Sequence, residues 1–215
     1  RGLGDVYKRQ EDTSSFKVPC VIVTTSAENW SMEELSSVSI DDEKAGETIV
    51  DYLIEHGHTK IAEIGANLEL SQTARLRHNG YLNSLKKHGI TPDERYYERA
   101  RFSYDSAYRA MKKLLEKDIE ITAVYAISDV MAIGALRAIL DKGLRVPEDI
   151  SITGFDGSTL AEYYNPKIVS IRQPHKDMAA RSVELLFNMI DLHKGSCHEI
   201  IPFELTEGES VARID

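Results

Sequence analysis

Cysteine is nearly absent from this chain: the two present, Cys20 and Cys197, stand far apart and outside any CxxC spacing. That excludes a disulfide framework and a cysteine-ligated zinc site, and leaves two reduced, partly buried thiols as the expectation. Long apolar runs are missing too. No stretch approaches the ~18 apolar residues of a membrane span, and no basic leader followed by an apolar segment precedes the first expected strand. The chain is therefore expected in the cytoplasm, with no membrane contact. Positive charge is in deficit, with 26 Lys and Arg against 35 Asp and Glu for a net charge of -9. Gripping a phosphate backbone needs clustered basic surface, so this stretch is not expected to hold nucleic acid by itself. The phosphate-cradling patterns GxGxxG and GxxxxGK[ST] and the nucleophile elbow GxSxG are also absent, and no nucleophile is paired with a base. Neither an enzymatic activity nor a cofactor is expected. His56-Gly-His58 straddles an expected helix end without further ligands at useful spacing, so it reads as a helix terminus rather than a metal site.

What is present is alternation. Val18-Pro-Cys-Val-Ile-Val-Thr-Thr25 is short, β-branched and entered through a proline, as a buried strand is, and residues 26–37 read as a polar loop. Apolar residues at Ala45, Ile49 and Leu53, and at Val50 and Ile54, predict an amphipathic helix over 42–56 closed by Gly57. Residues 61–65 form the next expected strand. Leu76, Tyr81, Leu82 and Leu85 predict a helix over 72–88 that stops at Gly89. A strand over 96–102, a helix over 105–117, a strand over 168–172, a helix over 175–193 and a last strand over 200–205 complete the series. Strand and helix in alternation imply parallel strands joined by right-handed crossovers, an α/β doubly wound sheet.

The densest information lies in Ser128-Asp-Val-Met-Ala-Ile-Gly134 and Leu144-Arg-Val-Pro-Glu-Asp-Ile-Ser-Ile-Thr-Gly-Phe-Asp156. Residues 123–127 are an apolar run of strand length, Ser128 or Asp129 can cap the helix that follows, Gly143 ends it, and residues 150–153 form the next strand. Asp156 is left on the sheet rim at a strand's C-terminal end, where open α/β sheets hold their ligands. Its carboxylate suits hydroxyl groups of a sugar, or else serves as a helix cap or turn former.

These motifs stand in a fixed order with Val38-Ser-Ile-Asp-Asp-Glu-Lys-Ala-Gly46, Gly57-His-Thr-Lys-Ile-Ala-Glu-Ile-Gly65, Ala74-Arg-Leu-Arg77 with Gly80-Tyr81, and Ser170-Ile-Arg-Gln-Pro174. Together they resemble the LacI/GalR bacterial transcription regulators, from about Val18 to the end of the chain. The resemblance implies a periplasmic-binding-protein-like type I fold of two Rossmann-like subdomains, with a small-molecule effector, a sugar above all, in the cleft between them. It implies an incomplete N-terminal subdomain of residues 11–40 and 173–202, with apolar surface exposed where further elements belong. The C-terminal subdomain would be residues 41–172 and 203–215. Residues 1–10 match no family element and are expected to be a non-native leader. Operator DNA would be held by a helix-turn-helix headpiece that this sequence does not include, and the intact protein would be a homodimer.

The same resemblance selects the candidate site. Asp156 would bind the ligand, and the second arginine of its motif, Arg77, would reach it, since Arg75 and Arg77 point to different sides of a helix. Phe102 would lie against the apolar face of a sugar ring, or be a core residue at a strand end. Ser71 and Thr73 would line the cleft or cap the helix of Arg77, and Gln173 would lie at a crossover, as hinge and ligand contact together. Ser128 replaces an asparagine common in the family, and Thr24 falls where many sugar-responsive members carry an acidic residue. Both substitutions shorten or remove a polar arm, so the effector or its hydrogen bonds are expected to differ. No metal site is expected. The rival reading is a sugar receptor of a transport system, periplasmic or lipoprotein-anchored, on the same fold.

Overall fold

The computed structural model describes residues 18–26, 35–192 and 195–214. The chain divides into two compact units, one made of residues up to Asp41 with Pro174–Phe203, the other of Asp42–Gln173 with Glu204–Asp215. In chain order, β1 (Cys20–Val23) and β2 (Leu35–Ser39) belong to the smaller unit. The larger unit then runs α1 (Asp42–Glu55), β3 (Ile61–Gly65), α2 (Gln72–Lys87), β4 (Tyr97–Arg99), α3 (Tyr104–Glu116), β5 (Ala123–Ala126), α4 (Asp129–Asp141), β6 (Ser151–Asp156), α5 (Thr159–Tyr163) and β7 (Val169–Arg172). The chain returns to the smaller unit for α6 (His175–Asp191) and β8 (His198–Ile200), and ends in the larger one with β9 (Glu204–Thr206).

The larger sheet has the order β4-β3-β5-β6-β7-β9, parallel throughout except that β9 runs antiparallel to β7. The smaller sheet is β1-β2-β8, all parallel. The α/β expectation holds, with three corrections. Residues 35–39 are a strand and not the end of a loop, because Ser36, Ser37 and Ser39 are buried within the smaller sheet and hydroxyls of this strand find partners there. Ser36 Oγ accepts from Cys197 N at 3.0 Å, and Ser37 Oγ meets His198 Nδ1 at 2.9 Å. The expected last strand is two short ones, β8 and β9, separated by Pro202 and lying in different sheets. The strand over 96–102 is confined to Tyr97–Arg99. Cys197 is exposed rather than partly buried.

Local chemistry explains the element ends. Ser71, Ser103, Ser128 and Ser158 each cap a helix by accepting from the backbone N–H three residues on, satisfying one of the donors that every helix start leaves open. Along β3, β5 and β6 nearly every residue is buried, as strands covered on both faces must be. In the smaller unit α6 buries Met178, Leu185 and Met189 but exposes Val183, Phe187 and Ile190, spaced along one helical face.

Two glycines set the spacing of α1 and α2. A Cβ on Gly46 would lie 2.7 Å from the Arg77 carbonyl oxygen, and one on Gly80 would run into the Glu43 carbonyl. The two backbones therefore touch, which brings the start of α1 to the middle of α2. Gly80→Ala should force them apart and cost roughly 1–3 kcal/mol of stability, read as a lower urea midpoint at unchanged slope.

The C-terminal tail is held by His58, which is 1% exposed and meets Thr122 Oγ1 at 3.1 Å and the Ala212 carbonyl at 3.0 Å. Burial holds this imidazole below its ordinary pKa of 6.5. A depressed histidine binds fewer protons folded than unfolded, so its contribution is complete above that ordinary value, begins to fall there, and is lost as pH drops through the lower folded value. Exchange protection of the Ala212 and Ile214 amides, bonded to Ser151 Oγ and the His56 carbonyl, should accordingly fall below about pH 6.5.

Candidate functional site

At the C-terminal rim of the larger sheet, β6 ends on Asp156 and β7 is followed by Gln173. Asp156 adopts φ 114°, a conformation that costs an L residue on the order of 1–3 kcal/mol and concentrates at functional positions. The loop that follows it is tied down from below. Asp129 Oδ2 accepts from Ser158 N at 2.6 Å, its Oδ1 accepts from Ser170 Oγ at 2.6 Å, and Ser170 Oγ in turn accepts from Gly157 N at 3.1 Å. Burial pushes the Asp129 carboxyl above the usual carboxylate range, opposed by these hydrogen bonds. Gly154 is required beneath it, because a Cβ there would meet Asp129 Oδ1.

The Asp156 side chain remains 32% exposed. Its Oδ1 accepts from Gln173 Nε2 at 2.8 Å and lies 3.7 Å from Arg77 Nη1. Gln173 is itself 6% exposed, and its Oε1 has no hydrogen-bond partner among the described residues. Arg77 is 3% exposed and spends its guanidinium on protein groups: Nε donates to Asp42 Oδ1 at 2.8 Å, Nη1 donates to the Ile127 carbonyl at 2.6 Å, and the plane lies 3.5 Å from the centre of the Phe155 ring. Burial alone would lower the pKa of Arg77, but the Asp42 and Asp156 carboxylates more than offset it, so the group is a fixed positive charge.

The structure thus brings Gln173 and Arg77 to the same oxygen of Asp156. Ser128 follows the Ile127 carbonyl that Arg77 holds; it is 4% exposed and caps α4 through Met131 N. Ser71 caps α2 through Ala74 N, and Thr73 stands half-buried one turn before Arg77. Phe102 is half-buried in the turn before α3, three residues beyond the end of β4, so it is not at a strand end. Thr24 belongs to the smaller unit, exposed just past β1 with φ 72° and its N–H donating to the Val38 carbonyl at 2.9 Å. Sequence reasoning missed Asp42 and Phe155 as members of the cluster. Both stand inside quoted motifs, but no spacing rule links Asp42 to an arginine 35 residues away.

Residues 50–211 match the model of the periplasmic binding protein-like domain. The chain belongs to this family. Its relatives there are LacI-type regulators rather than transport receptors: it is 38% identical to the HTH-type transcriptional regulator MalR of Clostridium butyricum, over 98% of this chain and 63% of that protein. It is 36% identical to the HTH-type transcriptional repressor CytR of Escherichia coli K12, over 80% of this chain and 50% of that protein. The chain thus spans between half and two thirds of these curated relatives. Among solved structures, the complex of the transcriptional regulator CelR with cellobiose aligns with a TM-score of 0.82 at 27% identity, covering 96% of this chain and 70% of that one. Transcriptional regulators of this kind are not enzymes.

The Arg77–Asp42 bridge is buried on both sides, so removing one partner strands the other. Arg77→Ala should cost about 3–5 kcal/mol by leaving Asp42 buried without its cation, whereas the double variant Arg77→Met with Asp42→Asn should regain a large part of that loss in urea unfolding.

Proposed function

We propose that this chain is the effector-binding region of a LacI-type transcriptional regulator and that its effector is a neutral sugar bound at the Asp156 rim. The observation that carries this reading is Asp156 itself, a partly exposed carboxylate kept in a strained conformation and held by Gln173 with Arg77 behind it. An ionised carboxylate accepts from hydroxyl groups strongly, and a sugar offers several at fixed spacing. Gln173 adds a carbonyl acceptor beside it. Arg77, neutralised by Asp42, fixes the orientation of Asp156 and leaves no net positive charge to favour an anionic ligand. Kinship to a regulator solved with cellobiose supports the same ligand class.

In the intact regulator, operator DNA would be gripped by a separate headpiece, consistent with the net charge of -9 carried here. The protein would act as a cytoplasmic homodimer without performing chemistry on its ligand. A sugar can shift DNA affinity only by binding the two states of such a dimer unequally.

Calorimetric and thermal-shift titration of the chain against mono- and disaccharides, cellobiose, maltose and ribose included, tests the reading. At least one sugar should bind and raise the Tm. Asp156→Asn should weaken that sugar roughly 10- to 100-fold, the loss of a charged hydrogen bond, without unfolding the chain, because asparagine tolerates positive φ and still accepts from Gln173. Binding of no sugar, or equal binding by the variant, would overturn it.

A further inference from the structure

The middle of β3 holds a glutamate. Glu63 is fully buried in a strand whose other residues are Ile61, Ala62, Ile64 and Gly65, and its Oε2 lies 2.6 Å from His78 Nδ1 on α2. Its other oxygen, Oε1, has no hydrogen-bond partner among the described residues. A packed apolar pair in these two places would serve stability as well or better, since buried ion pairs seldom repay their desolvation. His78 is the residue after Arg77. One helix therefore carries, side by side, the arginine of the effector rim and a histidine bound to a buried acid.

Sheet register extends the connection. Tyr97, Glu63, Tyr125 and Thr153 are direct cross-strand neighbours on β4, β3, β5 and β6, so they form one row on one face. Tyr125 Oη and Thr153 Oγ1, like Glu63 Oε1, are buried without a hydrogen-bond partner among the described residues. The Tyr125 hydroxyl feels both Arg77 and Glu63, as well as Asp42 and Asp156. In so buried a strip a change of charge is weakly screened and acts across several ångströms.

We propose that the Glu63–His78 pair is a proton-dependent positioning element for Arg77, so that the geometry of the effector rim follows pH. The pair holds one proton between its two members, as an imidazolium against a carboxylate. Loss of that proton leaves a lone buried anion under α2 and weakens the tie between His78 and the sheet. Arg77 then re-seats against Asp42, the Ile127 carbonyl and Asp156. His78 reaches solvent through a groove of about 590 Å³ lined by Leu68, Leu82, Pro92 and Tyr97 among others, so protons have access. The groups around the pair are Tyr81 on α2, Tyr97 on β4, Tyr125 on β5, and Asp93 and Glu94 at the groove's edge, with Arg99 beyond Tyr97 and Arg77 reached through Tyr125. Asp93 is engaged by Arg95 at 2.6 Å, and burial holds the tyrosines above their ordinary values. Burial pulls His78 down, but its bond to Glu63 outweighs that and raises it, while burial raises Glu63.

The proposal rests on Arg77 belonging to the effector rim, but its test needs no ligand. NMR of the whole chain would follow the His78 ring and the Arg77 Nε–H signal, assigned with Arg77→Lys, as pH is varied. The expected result is one shared midpoint, above the ordinary histidine value. In Glu63→Gln the His78 midpoint should drop below that value, because desolvation remains while the charge partner is gone, and the Arg77 signal should follow it down. An Arg77 signal that stays still while His78 titrates in the wild-type chain would overturn the proposal, and so would a His78 with an ordinary midpoint. Failure of the sugar titration would leave this result standing, so the two readings fail separately.

Discussion

A permanently charged guanidinium with 3% exposure is the constraint around which the larger unit is arranged. Arginine cannot shed its proton, and an unpaired buried cation costs several kcal/mol. Everything near Arg77 answers that cost. α1 must begin at Asp42 so that a carboxylate meets Nε, β5 must end so that the Ile127 carbonyl is free to accept from Nη1, and Phe155 must present its ring face. The first condition holds only because Gly46 and Gly80 let α1 and α2 touch. A loss of contact between the helices would separate the charge from its counter-ion, so packing and electrostatics are here the same requirement.

The rim shows the converse arrangement, in which strain is tolerated because its surroundings over-determine it. Asp156 holds a positive φ while its carboxylate is fixed by Gln173 and Arg77, and the next two residues are fixed by Ser170 and Asp129. Asp129 works through both oxygens from the first turn of α4, so the start of one helix supports the C-terminal end of the adjacent strand. Rigid support of this kind lowers the entropy lost when a ligand docks.

Much of this fold was legible in the sequence because its signals are local. Gly57, Gly89 and Gly143, each with positive φ, end helices where glycine reads as a terminator, and Ser71 and Ser128 take the capping role that the sequence leaves open for each. β2 was not legible, since Leu35-Ser-Ser-Val-Ser39 is polar in composition and becomes buried only through bonds to residues some 160 positions away. The site behaved similarly. Asp156 announces itself by its place at a strand end, and Arg77 was selected by resemblance. Yet Asp42, which decides what Arg77 can do, is visible only once two helices pack.

Residues 77 and 78 place two kinds of buried charge on one helix. Arg77 is fixed at any accessible pH and needs a permanent counter-ion, which Asp42 supplies. His78 is conditional and is matched to Glu63, whose burial makes its ionisation equally conditional. Apolar residues in the second pair would hold α2 against the sheet more simply, and hydrophobic burial needs no proton to act. An ionisable pair instead makes the helix contact depend on a solution variable. Arg77 and His78 are neighbours on α2, so the fixed charge at the rim and the conditional one at the groove share a single helix.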